Sequence, residues 1–451
     1  MKRGSLTAAP WLWALLLALL PAGVLAQGVT TSAITGTVTN QQNQPVAGAQ
    51  IVVTNTATGV ESRVVTRADG RYQLQGLQPG GPYRITARGL GYGLSARTGV
   101  SLALSQTARF DFVLAPEAVA LEGLTVEAER NTVISRGRTG AATVVSDSAI
   151  SRLPTITRDF TDFTRLTPQI STSGEGSNAG GRNSKFNSIQ IDGAANNDLF
   201  GLNPAGTPGS GSDARPISLE AIKEFQVVLA PFDVRQGGFT GAGINAVTKS
   251  GTNEFEGTVT YFNRNEALVG NFVFADGAES EDFGDFKQNE VGFSVGGPIL
   301  KDRLHFFVAG EINRRSAPIN NVAGTPTSDV PLDSVTRVAG ILEDQYGYNP
   351  GATGALPLTT DGDNIFGRLD WSINDNHRFT LRHNYLSGLK DDLARSNATY
   401  YLGGSLFVRD NTTNSTVAQL NSTLGASVFN EFRVGYSTIN DERVPQDRTP
   451  S

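Results

Sequence analysis

The sequence predicts a mainly β protein in three parts. A small N-terminal β-sandwich is followed by a mixed α/β unit and by the first strands of a transmembrane β-barrel, which stays incomplete in this chain. Three observations predict this. Over residues 31–114, strand-like runs are punctuated by Asn, Pro and Gly turns every ~8–12 residues, the spacing of a sandwich. From Gly257 almost to the end, apolar and polar residues alternate with period two, the signature of strands with one apolar face. The links between those later strands alternate between short and long, as in outer-membrane barrels with short periplasmic turns and long outer loops.

The first element is an export signal. Lys2 and Arg3 precede the apolar "WLWALLLALL" (Trp11 to Leu20), and "VLA" ends at Ala26, after which cleavage is expected. The apolar run is about half of the ~20 residues that a spanning helix needs. Residues 1–26 therefore read as a removed signal, and the mature chain as starting at Gln27 outside the cytoplasm. No later stretch is apolar enough for a membrane helix, so a membrane role requires the other permitted architecture, a closed barrel.

Residues 27–115 form the sandwich. "ITGTVT" alternates, "NQQNQPVAGA" turns, and "QIVVTNT" alternates again; turns at Ala68-Asp69-Gly70 and Pro79-Gly80-Gly81 separate further strands, and "FDFVL" closes the unit. Asp69 reads as the residue holding a β-turn rather than as a calcium ligand. Residues 116–130 are a linker with an extended acidic-apolar core, Leu124 to Ala128. That core reads either as an ordinary edge strand or as a peptide offered to a partner by strand addition.

Residues 131–255 are the mixed unit. "SDSAISRLPTITRDFTDFTRLTP" holds two short amphipathic helices, the second with Phe160, Phe163 and Leu166 on one face. "NSIQIDG" gives a strand and a turn, and "ISLEAIKEFQVV" a short helix feeding a strand. The glycines of Gly237 to Gly243 do not make a phosphate loop, because neither GK[ST] nor GxGxxG is formed.

In residues 256–451 seven strands follow. Val291, Phe293 and Val295 oppose Glu290, Gly292 and Ser294; Leu304, Phe306, Val308 and Ile312 oppose His305, Ala309, Glu311 and Asn313. Ile365, Leu369 and Trp371 oppose Arg368 and Asp370; Phe379, Leu381 and Tyr385 oppose Arg382 and Asn384; Phe432, Val434 and Tyr436 oppose Glu431 and Arg433. Only "STVAQLNS" (Ser415 to Ser422) is weakly patterned. Short turns "ILKDR", "NDNH" and "GASV" alternate with long polar links at 264–287, 314–363 and 388–414.

Other chemistry is not called for. The net charge of −6 does not favour nucleic acid. With no Cys there is neither a disulfide nor a thiolate metal site, and His305, His377 and His383 form no cluster. No catalytic residue, metal site or cofactor is expected. The acidic stretch from Ala275 to Asp285 reads as a solvated outer loop rather than a cation site.

Two resemblances add to this reading. On "QPVAGAQIVV", "TRADGRYQLQGLQPGGPYRITA" and "FDFVL", the sandwich resembles the carboxypeptidase regulatory-like (transthyretin-like) family, which implies a seven-stranded sandwich without chemistry of its own. On "QIDGAANND" (Gln190 to Asp198), "EAIKEFQVV" (Glu220 to Val228), "GGFTGAGINAVTKSGTNEFEGTVTYF" (Gly237 to Phe262) and "VGGPILKDRLHFFVAGE" (Val295 to Glu311), the chain resembles TonB-dependent outer-membrane receptors of the Oar-like branch.

That resemblance implies that residues 131–255 are a plug inside the barrel. It makes Leu124, Thr125, Val126, Glu127 and Ala128 the TonB box, a strand added to TonB in the periplasm. It makes Gly241, Gly243, Asn245, Thr248, Lys249, Gly251 and Asn253 the plug–barrel junction. Outer-membrane lipid would surround the barrel, and a ligand that the sequence does not identify would pass through it, driven by the inner-membrane proton gradient. The family implies about twenty-two strands where seven are counted, so the chain reads as the front of a longer product. The alternative is a secreted or surface adhesin of stacked β domains, which has no reason to segregate loop lengths. A barrel not coupled to TonB would differ in tolerating deletion of residues 121–129.

Overall fold

A computed structural model describes residues 30–116, 142–153, 155, 157–172, 176–201, 203–229, 237–269, 285–425 and 428–445. Ala26, the Leu124–Ala128 peptide and most of the acidic loop fall outside these. No helix among the described residues is long and apolar enough to cross a membrane.

The N-terminal unit is built from β1 (Ser32–Asn40), β2 (Gln50–Asn55), β3 (Glu61–Val65), β4 (Arg71–Leu77), β5 (Gly80–Arg88), β6 (Ser95–Leu102), β7 (Thr107–Arg109) and β8 (Phe112–Leu114). One sheet has the order β4-β1-β7 with β8 also on β1; the other runs β3-β2-β5-β6. Alternate residues of each strand, among them Ile34, Val38, Ile51, Val53, Leu74, Ile85 and Phe112, meet in one core between the sheets. There are eight strands rather than seven because the last run is split: β7 and β8 pair with successive stretches of β1. Asp69 sits in the turn, accepting from the Arg71 N–H at 3.1 Å.

The inner unit consists of β9 (Ala142–Ser146), β10 (Ile170–Ser171), β11 (Asn178–Ala179), β12 (Ser188–Ile191), β13 (Ala194–Ala195), β14 (Ile222–Val228) and β15 (Gly243–Thr248). Its main sheet has the order β13-β12-β15-β14-β9, with only the β12–β15 pair parallel. Helices Asp147–Arg152 and Thr161–Thr164 occupy the positions expected of them. Phe160 and Phe163 pack on Phe225, with ring centroids 6.3 and 6.0 Å away. Leu166 does not join them: the second helix is a single turn, and the chain leaves it before Leu166, which is exposed.

The third unit is a seven-stranded antiparallel meander of β16 (Glu256–Asn265), β17 (Lys287–Leu300), β18 (Leu304–Pro318), β19 (Pro357–Asn374), β20 (His377–Asp392), β21 (Phe407–Leu424) and β22 (Val428–Pro445). Its strands are longer than the alternation marked. At ~3.4 Å per residue, an 18-residue strand runs ~60 Å, well past the ~25 Å apolar band of an outer-membrane wall. The link after β18, expected only as long and polar, also contains a helix, Leu332–Tyr346.

The apolar face points outward and is bare. Val259 (82% exposed), Ile365 (53%), Trp371 (47%) and Phe432 (59%) all belong to it. In register, Leu304, Trp371, Phe379, Leu420 and Phe432 form one rung across five strands near the short turns. Such a belt is what lipid covers. The polar face is buried instead, because the inner unit packs on it.

Candidate functional site

The inward face carries two clusters of like charge, and the inner unit brings the opposite charge to each. Glu290 on β17 and Glu311 on β18 are near neighbours, since Gly292 pairs with Glu311. Both are almost fully buried, and two like carboxylates there are costly without cations. Arg215 supplies one, at 2.5 Å from Glu311 and 2.9 Å from Glu290. Arg158 supplies another, at 2.5 Å from Glu290 and 3.0 Å from Glu220. Its guanidinium also lies 4.0 Å from the ring centroid of Phe262 on β16. Glu220 reaches the same strand, accepting from the Thr258 and Thr260 hydroxyls at 3.2 Å. Burial opposes the charge on Arg215, but Glu311, Glu290 and Asp159 more than offset it and hold the guanidinium above its usual value. The Asp159 carboxyl is pushed up by burial.

The second cluster is basic. Arg368 on β19 lies directly opposite Arg382 on β20, a pairing that repels. Asp370 takes part of the charge, 2.7 Å from Arg368. The rest is met by Asp192 of the inner unit, 3.2 Å from Arg382 and 3.8 Å from Arg368. Asp192 is itself fixed by the N–H and hydroxyl of Thr248, at 2.9 and 2.8 Å. The Thr248 hydroxyl also accepts from Arg368 at 2.8 Å. Arg382 in addition donates to the Ile191 carbonyl.

Gly241 and Gly243, the first two of the seven residues expected at a plug–barrel junction, lead into β15: a Cβ on Gly241 would stand 2.3 Å from the Asn187 amide oxygen, and one on Gly243 3.0 Å from the Phe239 ring. Asn245 sits in mid-strand between Gln190 and Gln226. Lys249 leaves the sheet with its N–H on the Ala221 carbonyl at 2.8 Å. Gly251 passes against the wall, where a Cβ would lie 2.2 Å from the Phe306 carbonyl oxygen. Asn253 ties three units together. Its N–H donates to Ala57 of the sandwich at 2.8 Å. Its side chain bonds Asp302 in the first short turn, at 2.7 and 2.8 Å, and His305 at 3.0 Å.

The residues expected at the junction from the sequence do not include the ionic partners Arg158, Arg215, Glu220 and Asp192. The signal for the wall half was present: Glu290, Glu311, Arg368 and Arg382 all fall on polar-phase positions of their strands. Nothing in the sequence paired them with residues between 75 and 190 positions away. On the side of the long links, a cavity of about 650 Å³ opens beside this network, with Asp159, Arg215, Asn313, Arg315 and Thr360 in its lining.

Comparison with known proteins agrees with this arrangement. Residues 33–115 match the carboxypeptidase regulatory-like domain, and residues 247–352 match an outer membrane beta barrel domain. The chain is 31% identical over 297 residues to the TonB-dependent transporter Oar of Myxococcus xanthus, covering 61% of this chain and 26% of that protein. It is 25% identical over 280 residues to a probable TonB-dependent siderophore receptor PirA of Acinetobacter baumannii, covering 59% of this chain and 31% of that protein. Among solved structures it is similar to the outer membrane transporter YddB from Escherichia coli, with a TM-score of 0.50 at 17% identity over 68% of this chain and 40% of that one. The chain thus spans between a quarter and a third of the length of the curated relatives it matches.

Proposed function

We propose that this chain, which carries the domains and the relatives of TonB-dependent outer-membrane receptors, is the plug and forward barrel wall of such a receptor. It passes a ligand across the outer membrane, drawing on the inner-membrane proton gradient through TonB. The observation that carries this reading is the buried charge complementarity: Arg158, Arg215 and Asp192 of the plug satisfy Glu290, Glu311, Arg368 and Arg382 of the wall. A polar interface of this kind holds a plug firmly, yet it can be re-solvated when the plug is pulled, which a dry apolar core resists. The bare outward belt supports a lipid-covered wall rather than a secreted adhesin.

In this reading Leu124 to Ala128 is the strand that TonB takes up by pairing in the periplasm. The ligand enters from the side of the long links, through the cavity beside Arg215 and Arg315. No catalytic step and no cofactor take part. Binding to a purified periplasmic fragment of TonB tests the reading. The full chain should bind, and Val126→Pro, which removes a ladder N–H and fixes φ, should abolish binding, as should deletion of residues 121–129. Equal binding by the full chain and the deletion would refute it.

A further inference from the structure

The N-terminal sandwich is packed against the plug and the wall on the side of the short turns. Arg63 lies 3.5 Å from Asp375 in the second short turn, Gln78 donates to Asp370 at 3.3 Å, and Ala57 accepts from Asn253. Thr30, just before β1, accepts from Gln419 at 3.2 Å and from Arg433 at 3.0 Å. These contacts reach four of the seven wall strands or their turns.

A further contact goes to the plug sheet itself. After β6 the chain makes a tight turn, in which the Gln106 N–H meets the Ala103 carbonyl at 3.1 Å and the Gln106 side chain accepts from the Ala103 N–H at 2.8 Å. Ser105 takes φ 60° to close it. The turn thrusts Leu104 out of the sandwich. Leu104 is 2% exposed, yet it is not among the residues of the sandwich core. It is buried against β14. Its N–H donates to Glu224 at 2.7 Å, its carbonyl accepts from Gln226 at 3.1 Å, and the Ser105 hydroxyl donates to Gln226 at 3.4 Å. β14 is also the strand on which β9 ends the plug sheet, and β9 is the first described element after the Leu124–Ala128 peptide.

We infer that the sandwich is a removable clamp on the plug: its 103–106 finger pins β14 while its other contacts hold the wall, so a pull on residues 124–128 strips β9, works along the chain through β10–β13, and stalls at β14 until the sandwich swings clear. Among the described elements a pull along the peptide reaches β9 first, and β9 yields readily because it is an edge strand paired with β14 alone among the described residues. Its neighbour in the sheet, β14, comes later along the chain, after β10–β13; it is hydrogen-bonded to β15 on its other side and is held by the finger. The sandwich therefore sets how far the plug yields, and its release is a second condition for opening. The inference rests on the receptor reading only for the direction of pull.

Single-molecule force spectroscopy on the full chain in lipid bilayers tests it. The protein has no Cys, so Val126→Cys gives a single attachment point. On pulling from residue 126, a weak first rupture is expected for β9 and, after the pull has run through β10–β13, a stronger second one for β14. Leu104→Asp, on the sandwich side, and the double variant Glu224→Ala/Gln226→Ala, on the plug side, should each lower the second force at least twofold or merge it with the first. An unchanged second force in either variant whose sandwich still resists protease would overturn the clamp. The measurement needs no TonB, so it can fail while TonB binding succeeds, and the reverse.

Discussion

Removing Arg215 isolates the contribution of the acidic half of the plug–wall interface. In Arg215→Leu, Glu290 keeps Arg158 at 2.5 Å, but Glu311 loses its closest cation and retains the Ser218 hydroxyl at 3.2 Å. A buried carboxylate stripped of its partner costs ~3–5 kcal/mol. An escape route caps that figure. Glu311 can take up a proton, which for an ordinary glutamate at pH 7 costs roughly 4 kcal/mol, at ~1.4 kcal/mol for each unit above its pKa. The plug should therefore be held less firmly by ~3–4 kcal/mol, a shift of a few hundredfold in its release equilibrium. Urea titration of the membrane-inserted protein, read by protease cleavage within residues 142–248, measures this. Adding Glu311→Gln to Arg215→Leu should recover most of the loss, because the amide carries no charge to strand. A loss below ~1 kcal/mol, or a double variant no better than the single, would refute the ionic account.

Asp192→Asn should weaken plug retention by a similar ~3 kcal/mol, since Arg382 then loses its carboxylate partner while Arg368 keeps Asp370; the same urea assay reads it. Gly251→Val places a side chain 2.2 Å from the Phe306 carbonyl oxygen, a backbone atom that cannot step aside, and should cost at least ~1–3 kcal/mol, seen as a lower melting temperature of the membrane-inserted protein. Sandwich docking should depend on pH through Glu224. Burial raises its carboxyl from 4.5 to about 7, with the Leu104 N–H and Lys223 opposing and Asp147 assisting. A raised pKa favours the docked state below pH 4.5, and that advantage is lost as pH rises through 7. Between pH 6 and pH 8 docking should weaken roughly tenfold, and Glu224→Gln should abolish the dependence. Fluorescence energy transfer between labels on the sandwich and on a short turn follows it.

Much of this molecule is written locally. The period of two from Gly257 onward fixes which side chains of each strand face together, because successive Cβ atoms alternate, and so Trp371, Phe379 and Phe432 were readable as one face before any pairing was known. Turn residues such as Asp69-Gly70 placed the sandwich strands for the same reason: the conformations they favour are decided within a few residues. The glycine at 251 was locally legible too, since the tight path there excludes a side chain wherever that path leads. The strand lengths were less legible, because above the lipid band the outward face turns polar and the alternation fades. The helix Leu332–Tyr346 does carry a helical period of its own, Leu332, Val335, Ala339 and Leu342, inside a link that is polar as a whole. What only the tertiary structure decided is which charge answers which. Arg215 finds Glu311, Asp192 finds the Arg368–Arg382 pair, and the Leu104 finger finds Glu224, across 96, 176 and 120 residues of chain. Such pairings are selected by the cost of burying a charge without a partner, and that cost exists only once the fold has closed around it.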